Sequence, residues 1–343
     1  MQALVLDKPH SFRYEGRPMP VPRRGEVLLR VDAVAVCGSD IHAINGAMSL
    51  FSFPRVLGHE IAATIVESNH CSSFRPGEKV CVMPTIFCGK CIACRQGKTN
   101  CCASLKLYGV QVDGGLQEYM AVPGEKLLRA PQGKDDDVVS LSLVEPLAIG
   151  EHAISRVAIA PGERVLVLGA GPIGVCCALM AQARGAQVIL VDVNAERAGF
   201  VTTRFGFPIL NPLADDYAHA INERTDGELF HAVLDTTANK RSMDNAHTLI
   251  GNGGRIVFVG IHKGMLEIDE TAFHMKEPLL TVTRNSTARD FECVLRLWEE
   301  EVVNPCALAT NEVSFVDAID VLPAWASGKE HLFKGIVRMY NDR

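Results

Sequence analysis

Through the first 140 positions, apolar residues come in short runs that glycine and proline break, a pattern that predicts strands. Met1–Lys8 opens as one, and Val27–Val36 and Glu60–Glu67 follow. Glu78–Met83 comes after a Pro-Gly turn, and Leu116–Val122 is a further β-rich stretch. Near Glu145 the pattern changes. Leu147–Val157 reads as an amphipathic helix, and strands then alternate with helices. The series is strand Arg164–Leu168, helix Ile173–Arg184, strand Val188–Val191, helix Ala195–Phe205 and a short strand near Ile209. It continues with helix Ala214–Arg224, strand Ala232–Leu234, helix Ser242–Ile250, strand Arg255–Val259 and an edge strand, Leu279–Thr283. Apolar strands alternating with helices predict a parallel, doubly wound α/β sheet. Two helical stretches, Asp290–Glu301 and Phe315–Ala326, and a last strand, Gly335–Met339, close the chain. That tail is too short for a domain of its own, so it is expected to return to the first lobe. The expected division is residues 1–143 with 285–343, mostly β, and residues 144–284, doubly wound.

A length of 343 residues suits two domains, and 48% hydrophobic with 22% charged residues describes an ordinary globular protein. A net charge of −6 argues against a nucleic-acid partner, which needs a concentrated basic face. No apolar run reaches the roughly 18–20 residues that span a bilayer, so no membrane partner is expected. The opening residues read as a strand, not as a signal peptide. Twelve cysteines would be hazardous in an oxidising compartment, which points to the cytoplasm.

Four cysteines fall within fifteen residues, Cys88-x2-Cys91-x2-Cys94-x7-Cys102. Four thiolates so close can wrap one tetrahedral Zn²⁺, and a closed sulfur shell would hold a lobe, about residues 85–105, without doing chemistry. Disulfide pairs and an iron–sulfur site are the competing readings, and neither suits the spacing and composition as well. Spacing alone leaves Cys101 or Cys102 as the fourth ligand.

Further on, Gly169-Ala170-Gly171-Pro172-Ile173-Gly174 follows an apolar strand and opens a helix. In that context Gly169 permits a tight turn, Gly171 lets the backbone approach a pyrophosphate, and Gly174 permits close packing of helix on sheet. Eighteen residues beyond Gly174, Asp192 ends the next strand. A carboxylate there accepts hydrogen bonds from ribose hydroxyls and repels a 2′-phosphate, which favours NAD over NADP. Arg197 either pulls toward the 2′-phosphate or is a solvated helix residue.

Upstream lie Cys37-Gly38-Ser39-Asp40-Ile41-His42 and Gly58-His59-Glu60. Combined with the glycine fingerprint and the cysteine lobe, they make the chain resemble the zinc-dependent medium-chain dehydrogenases, over essentially its whole length. The resemblance implies a GroES-like catalytic domain, a Rossmann domain, two zinc ions per chain and NAD. It implies that Cys88, Cys91, Cys94 and Cys102 hold the structural zinc. It further implies that Cys37 and His59 hold the catalytic one, together with Glu60 or with Glu145 of Val144-Glu145-Pro146-Leu147. A glutamate at the latter position resembles the polyol and threonine dehydrogenases, where alcohol dehydrogenases have cysteine. Ser39 and His42 would relay the proton. Val259 and Lys334 would meet the cofactor, Lys334 at its phosphates.

Phe51–Glu60, Gly109–Gly115, Phe273–Glu277 and Thr283-Arg284-Asn285 resemble a sugar-acid branch, the bacterial L-galactonate and L-gulonate 5-dehydrogenases and starvation-sensing proteins. Arg284 is then the candidate for the substrate carboxylate. A neutral-polyol or L-threonine dehydrogenase is the rival enzyme, and an NAD-sensing protein without turnover is the rival of another class. Relatives of this kind assemble as homodimers or homotetramers.

Overall fold

The computed structural model describes residues 1–48, 51–71, 73–328 and 332–340, and the chain divides into two units. The first is Met1–Glu145 with Thr287–Arg343, and the second is Pro146–Ser286.

The first unit is built on strand Glu26–Val36, whose apolar residues from Val27 to Val34 are almost wholly buried. Glu60–Ser68 runs antiparallel along one edge of it and Gly335–Arg338 along the other, while Tyr119–Pro123 pairs with its first half. Lys79–Val82 and Leu127–Arg129 extend the sheet past Glu60–Ser68, and Asn311–Ser314 extends it past Gly335–Arg338. A smaller sheet joins Ser11–Gly16, Gln2–Lys8 and Arg55–Val56. The tail thus returns as a strand hydrogen-bonded inside the first unit.

Register has a chemical consequence here. Ala35 pairs with Glu60, and Val36 pairs with Gly335. One step past those pairs come Cys37, His59 and Lys334, delivered by three neighbouring strands to one end of the sheet. Residues far apart in sequence meet because antiparallel pairing aligns the end of one strand with the beginnings of two others.

The second unit is a six-stranded parallel sheet. Its spatial order is Ile209–Leu210, Gln187–Val191, Arg164–Leu168, Phe230–Asp235, Ile250–Phe258, Leu279–Val282. The chain winds outward from Arg164–Leu168 to one edge, then restarts beside that strand and winds to the other. This reversal puts the ends of Arg164–Leu168 and Phe230–Asp235 at the switch point where doubly wound sheets bind ligands.

Four expectations shift. The helix expected over Ser242–Ile250 is Lys240–Asn245, capped by Asn239, followed by a tight turn, Ala246–Leu249. Ile250 already belongs to the strand, because it pairs with Phe230 and is fully buried, and Gly251-Asn252-Gly253-Gly254 is taken up as a register shift. The helix expected from Ala214 begins at Tyr217, after a turn in which Asn211 Oδ1 accepts from Leu213 N at 2.9 Å. Regular pairing over Leu116–Val122 begins only at Tyr119. The stretch expected as helix Phe315–Ala326 is helical from Ala318, behind an unanticipated strand, Asn311–Ser314. Among the described residues, no helix is long and apolar enough to cross a membrane.

Candidate active site and metal centres

Helix Gly38–Ile44 starts where the central strand stops, with Cys37 as its N-cap. Asp40, three residues on, folds back so that Oδ2 accepts from Cys37 N at 3.0 Å and Oδ1 from Gly58 N at 3.3 Å. One buried carboxylate therefore ties the Cys37 turn to the His59 turn. Donor atoms of Cys37, His59 and Glu60 lie within 4.8 Å of one another. His59 Nδ1 and Glu60 Oε2 are buried without a hydrogen-bond partner, and such atoms are costly unless something else satisfies them. A thiol, an imidazole and a carboxylate converging, with a Glu60 oxygen left unsatisfied, fit a zinc ion, and Asp40 Oδ1, 3.7 Å from His59 Nδ1, would be the carboxylate that orients the ring through that nitrogen.

The electrostatics agree. Burial opposes a charged His59, but Asp40, Cys37 and Glu145 outweigh it and raise its pKa well above the ordinary value. Glu145, in the first turn of helix Val144–Val157, is outside the 4.8 Å group, yet it belongs to the same electrostatic neighbourhood. Burial pushes its carboxyl up to about 7, with Glu60 and Asp40 adding and His59 and Lys334 opposing.

The expectation for Lys334 is a cofactor phosphate; the structure gives it another partner. Its ammonium lies 2.5 Å from Glu60 Oε1, with the two side chains 3% and 0% exposed. Strand Gly335–Arg338, paired beside Val36, delivers it there. Ser39 is half-buried and His42 exposed, one turn apart on helix Gly38–Ile44.

In the lobe, the sulfurs of Cys88, Cys91, Cys94 and Cys102 lie within 4.8 Å of one another, while the neighbouring Cys101 is exposed. A short hairpin of Thr85–Ile86 and Lys106–Leu107 closes the segment. Amides point at sulfur: Cys88 N donates to Cys102 Sγ at 3.3 Å and Cys91 N to Cys88 Sγ at 3.4 Å. Amide hydrogen bonds lower the Cys88 thiol to about 6, whereas desolvation and the neighbouring sulfurs push Cys94 up to about 12. Four sulfurs this close cannot all ionise without a shared cation, so the donor set fits a closed zinc site.

In the second unit, Gly169 takes φ +97°, and a Cβ on Gly174 would stand 1.9 Å from Gly169 O, so both glycines are demanded by the turn itself. Gly171 differs. Its φ is −71° and an added Cβ would meet nothing of the protein, so the fold itself does not demand glycine there. Behind it, helix Pro172–Ala183 starts with no side-chain cap, leaving its first amides free for a phosphate; Ile173 lies in that first turn. Asp192 is buried, accepts from Ala170 N at 2.8 Å, and is paired with Arg197 at 3.0 Å. Val259 lies just past strand Ile250–Phe258 and donates its amide to Asp235 O at 2.8 Å, beside the switch point. Arg284 is exposed, two residues past strand Leu279–Val282.

Two contributors escape a sequence reading, Asp40 as the tie behind the metal cluster and Lys334 as partner of Glu60. Asp40 had a signal, an acid three residues after an N-cap. Lys334 had none, since its partner is 274 positions away.

Residues 23–132 match the family described as alcohol dehydrogenase GroES-like domain, and residues 172–300 match the zinc-binding dehydrogenase family. The chain is 39% identical to the L-galactonate-5-dehydrogenase of Escherichia coli K12, over 98% of both chains. A crystal structure of the alcohol dehydrogenase RspB from Escherichia coli CFT073 with NADH superposes with TM-score 0.90, at 27% identity over 99% of both chains. L-idonate 5-dehydrogenase from Escherichia coli K-12 superposes with TM-score 0.88, at 25% identity over 98% of both.

Proposed function

The chain belongs to the zinc-dependent medium-chain dehydrogenases, NAD-linked oxidoreductases acting on CH–OH groups, and from that premise we propose a sugar-acid substrate. An aldonate of the L-galactonate or L-gulonate type is oxidised at a secondary hydroxyl to the ketone. The observation that carries this substrate class is the end-to-end similarity, at 39% identity, to an L-galactonate-5-dehydrogenase.

Cys37, His59 and Glu60 would hold the catalytic zinc, with Glu145 beside them, and Cys88, Cys91, Cys94 and Cys102 the structural one. When bound, zinc supplies Lewis acidity that lowers the pKa of the substrate hydroxyl, and NAD supplies the hydride acceptor. The chain's own residues do the rest. Asp40 keeps the His59 ring in place, and Lys334 keeps Glu60 in place. Ser39 accepts the hydroxyl proton as it gives up its own, and His42, a turn away and exposed, delivers a proton to solvent at the end of that relay. Gly171 and the first turn at Pro172 and Ile173 hold the pyrophosphate. Asp192 accepts from the adenosine ribose, and Val259 lines the nicotinamide side of the switch point. Arg284 pairs with the substrate carboxylate through its two parallel N–H groups. The open edge strand Leu279–Val282, with Leu279 and Val282 exposed, supports assembly as a homodimer or homotetramer. The twelve cysteines support the cytoplasm as its place.

The test follows NADH absorbance with NAD and L-gulonate, L-galactonate, D-sorbitol, galactitol or L-threonine. Turnover is expected on an aldonate, and Arg284→Met should raise its KM far more than that of any neutral polyol. Turnover confined to the polyols or to threonine overturns the substrate class; equal KM effects overturn the role of Arg284 alone.

A further inference from the structure

A buried ammonium without an acceptor is costly, and the chain keeps one beside the cysteine lobe. Lys126 is 2% exposed, and its Nζ has no hydrogen-bond partner. The lysine ends the short turn Gly124–Lys126, where its carbonyl accepts from Met83 N at 2.8 Å. Leu127 next pairs with Val82, three residues before the lobe's hairpin begins at Thr85. Nζ lies 3.5 Å from the centroid of the Phe87 ring, and Phe87 is the residue before Cys88. The groups that can act on it as charges are Glu125 and, once it is a metal-bound thiolate, Cys94. Glu125 Oε1 is 3.5 Å away, but that side chain is 68% exposed and water screens it. Cys94 is a member of the sulfur cluster.

A divalent cation with four thiolates carries a surplus of two negative charges. The ammonium, itself buried, needs an anion nearby, and a zinc-loaded lobe, whose Cys88, Cys91 and Cys94 are half-buried and whose Cys102 is buried, offers that surplus. We propose that Lys126, held over Phe87, is the buried counter-cation of the four-sulfur site and slows loss of its metal. The proposal rests on the lobe binding zinc. Lys126 touches no metal; it is a positioning residue acting through the charge it places near Cys94.

The experiment measures zinc release from the full-length, zinc-loaded protein to excess 4-(2-pyridylazo)resorcinol, with zinc counted by mass spectrometry. Cys88→Ser identifies which phase of release belongs to the lobe. Lys126→Met keeps the stem and drops the charge; Lys126→Arg keeps the charge. Lys126→Met should release lobe zinc about 10-fold faster or more, in the range seen when outer partners of metal ligands are removed. Lys126→Arg should stay close to wild type, and the other phase should not change. Equal release from Lys126→Met and wild type overturns the proposal, as does acceleration that Lys126→Arg does not rescue. Should Lys126→Met fail to accumulate, Phe87→Leu removes the ring that holds the ammonium, and an unchanged lobe phase there overturns the proposal. A wild-type count of one zinc per chain, with no phase lost in Cys88→Ser, refutes the lobe site itself and this assignment with it.

Discussion

Replacing Lys334 with methionine keeps most of the side chain's volume and removes the charge beside Glu60. The partners are 3% and 0% exposed, so solvent does not screen the pair. Glu60 Oε2 already lacks a hydrogen bond, and the substitution takes the ammonium from Oε1 as well. Breaking a buried pair by deleting one partner costs about 3–5 kcal/mol. A unit in the 150–250-residue range loses about 2–4 °C per kcal/mol, so the metal-free variant should melt about 6–20 °C below wild type. The loss should shrink when zinc is present, because a metal held by Cys37, His59 and Glu60 offers Glu60 another cation. Zinc should therefore stabilise Lys334→Met by more than it stabilises wild type. Thermal melts of both chains, with zinc and after treatment with EDTA, make the comparison; stripping the lobe affects both alike and cancels. Lys334→Arg, which keeps the charge, serves as control. Equal losses in the two metal states would refute the idea that Lys334 and the metal share Glu60. A loss under about 1 kcal/mol in the stripped protein would show that the pair is not the buried charge pair described.

Two further outcomes follow from the same geometry. The Glu145 carboxyl stands at about 7 in the metal-free fold against 4.5 when unfolded, so the folded chain holds the extra proton between those values. Stability of the metal-free protein should then fall as pH rises through that window, by about 3 kcal/mol, and Glu145→Gln should flatten the fall. Urea titrations near pH 5 and pH 8 measure it, and an unchanged slope would count against the raised carboxyl. Asp192→Ala should raise KM for NAD about 10–100-fold, the worth of a charge-assisted hydrogen bond. It also releases Arg197, now paired at 3.0 Å, toward a 2′-phosphate, so an unchanged NAD:NADP preference would refute the ribose role.

Local patterns carried much of this protein. Strand–helix alternation beyond Glu145 implied the doubly wound sheet, since burying strands on both faces requires helices between them. The spacing of Cys88, Cys91 and Cys94 implied a lobe around one ion, and the loop after Arg164–Leu168 implied a pyrophosphate site. In each case the interacting groups sit within a few residues, where backbone geometry alone relates them. Boundaries were less legible. At Ser242–Ile250 a helical pattern lost to the pairing of Ile250 with Phe230, a contact that exists only once the sheet is formed.

The cluster of Cys37, His59 and Glu60 lies beyond such rules. Cys37 and His59 are 22 positions apart, and nothing in either motif says that Lys334 belongs with Glu60 or that Lys126 lies against Phe87. The sequence by itself determined the residue types, the local turns that hold them, and the kind of fold. Only the tertiary structure decided which side chains share a charge, because strand register, set by burial across the whole sheet, brings together residues that no local spacing relates.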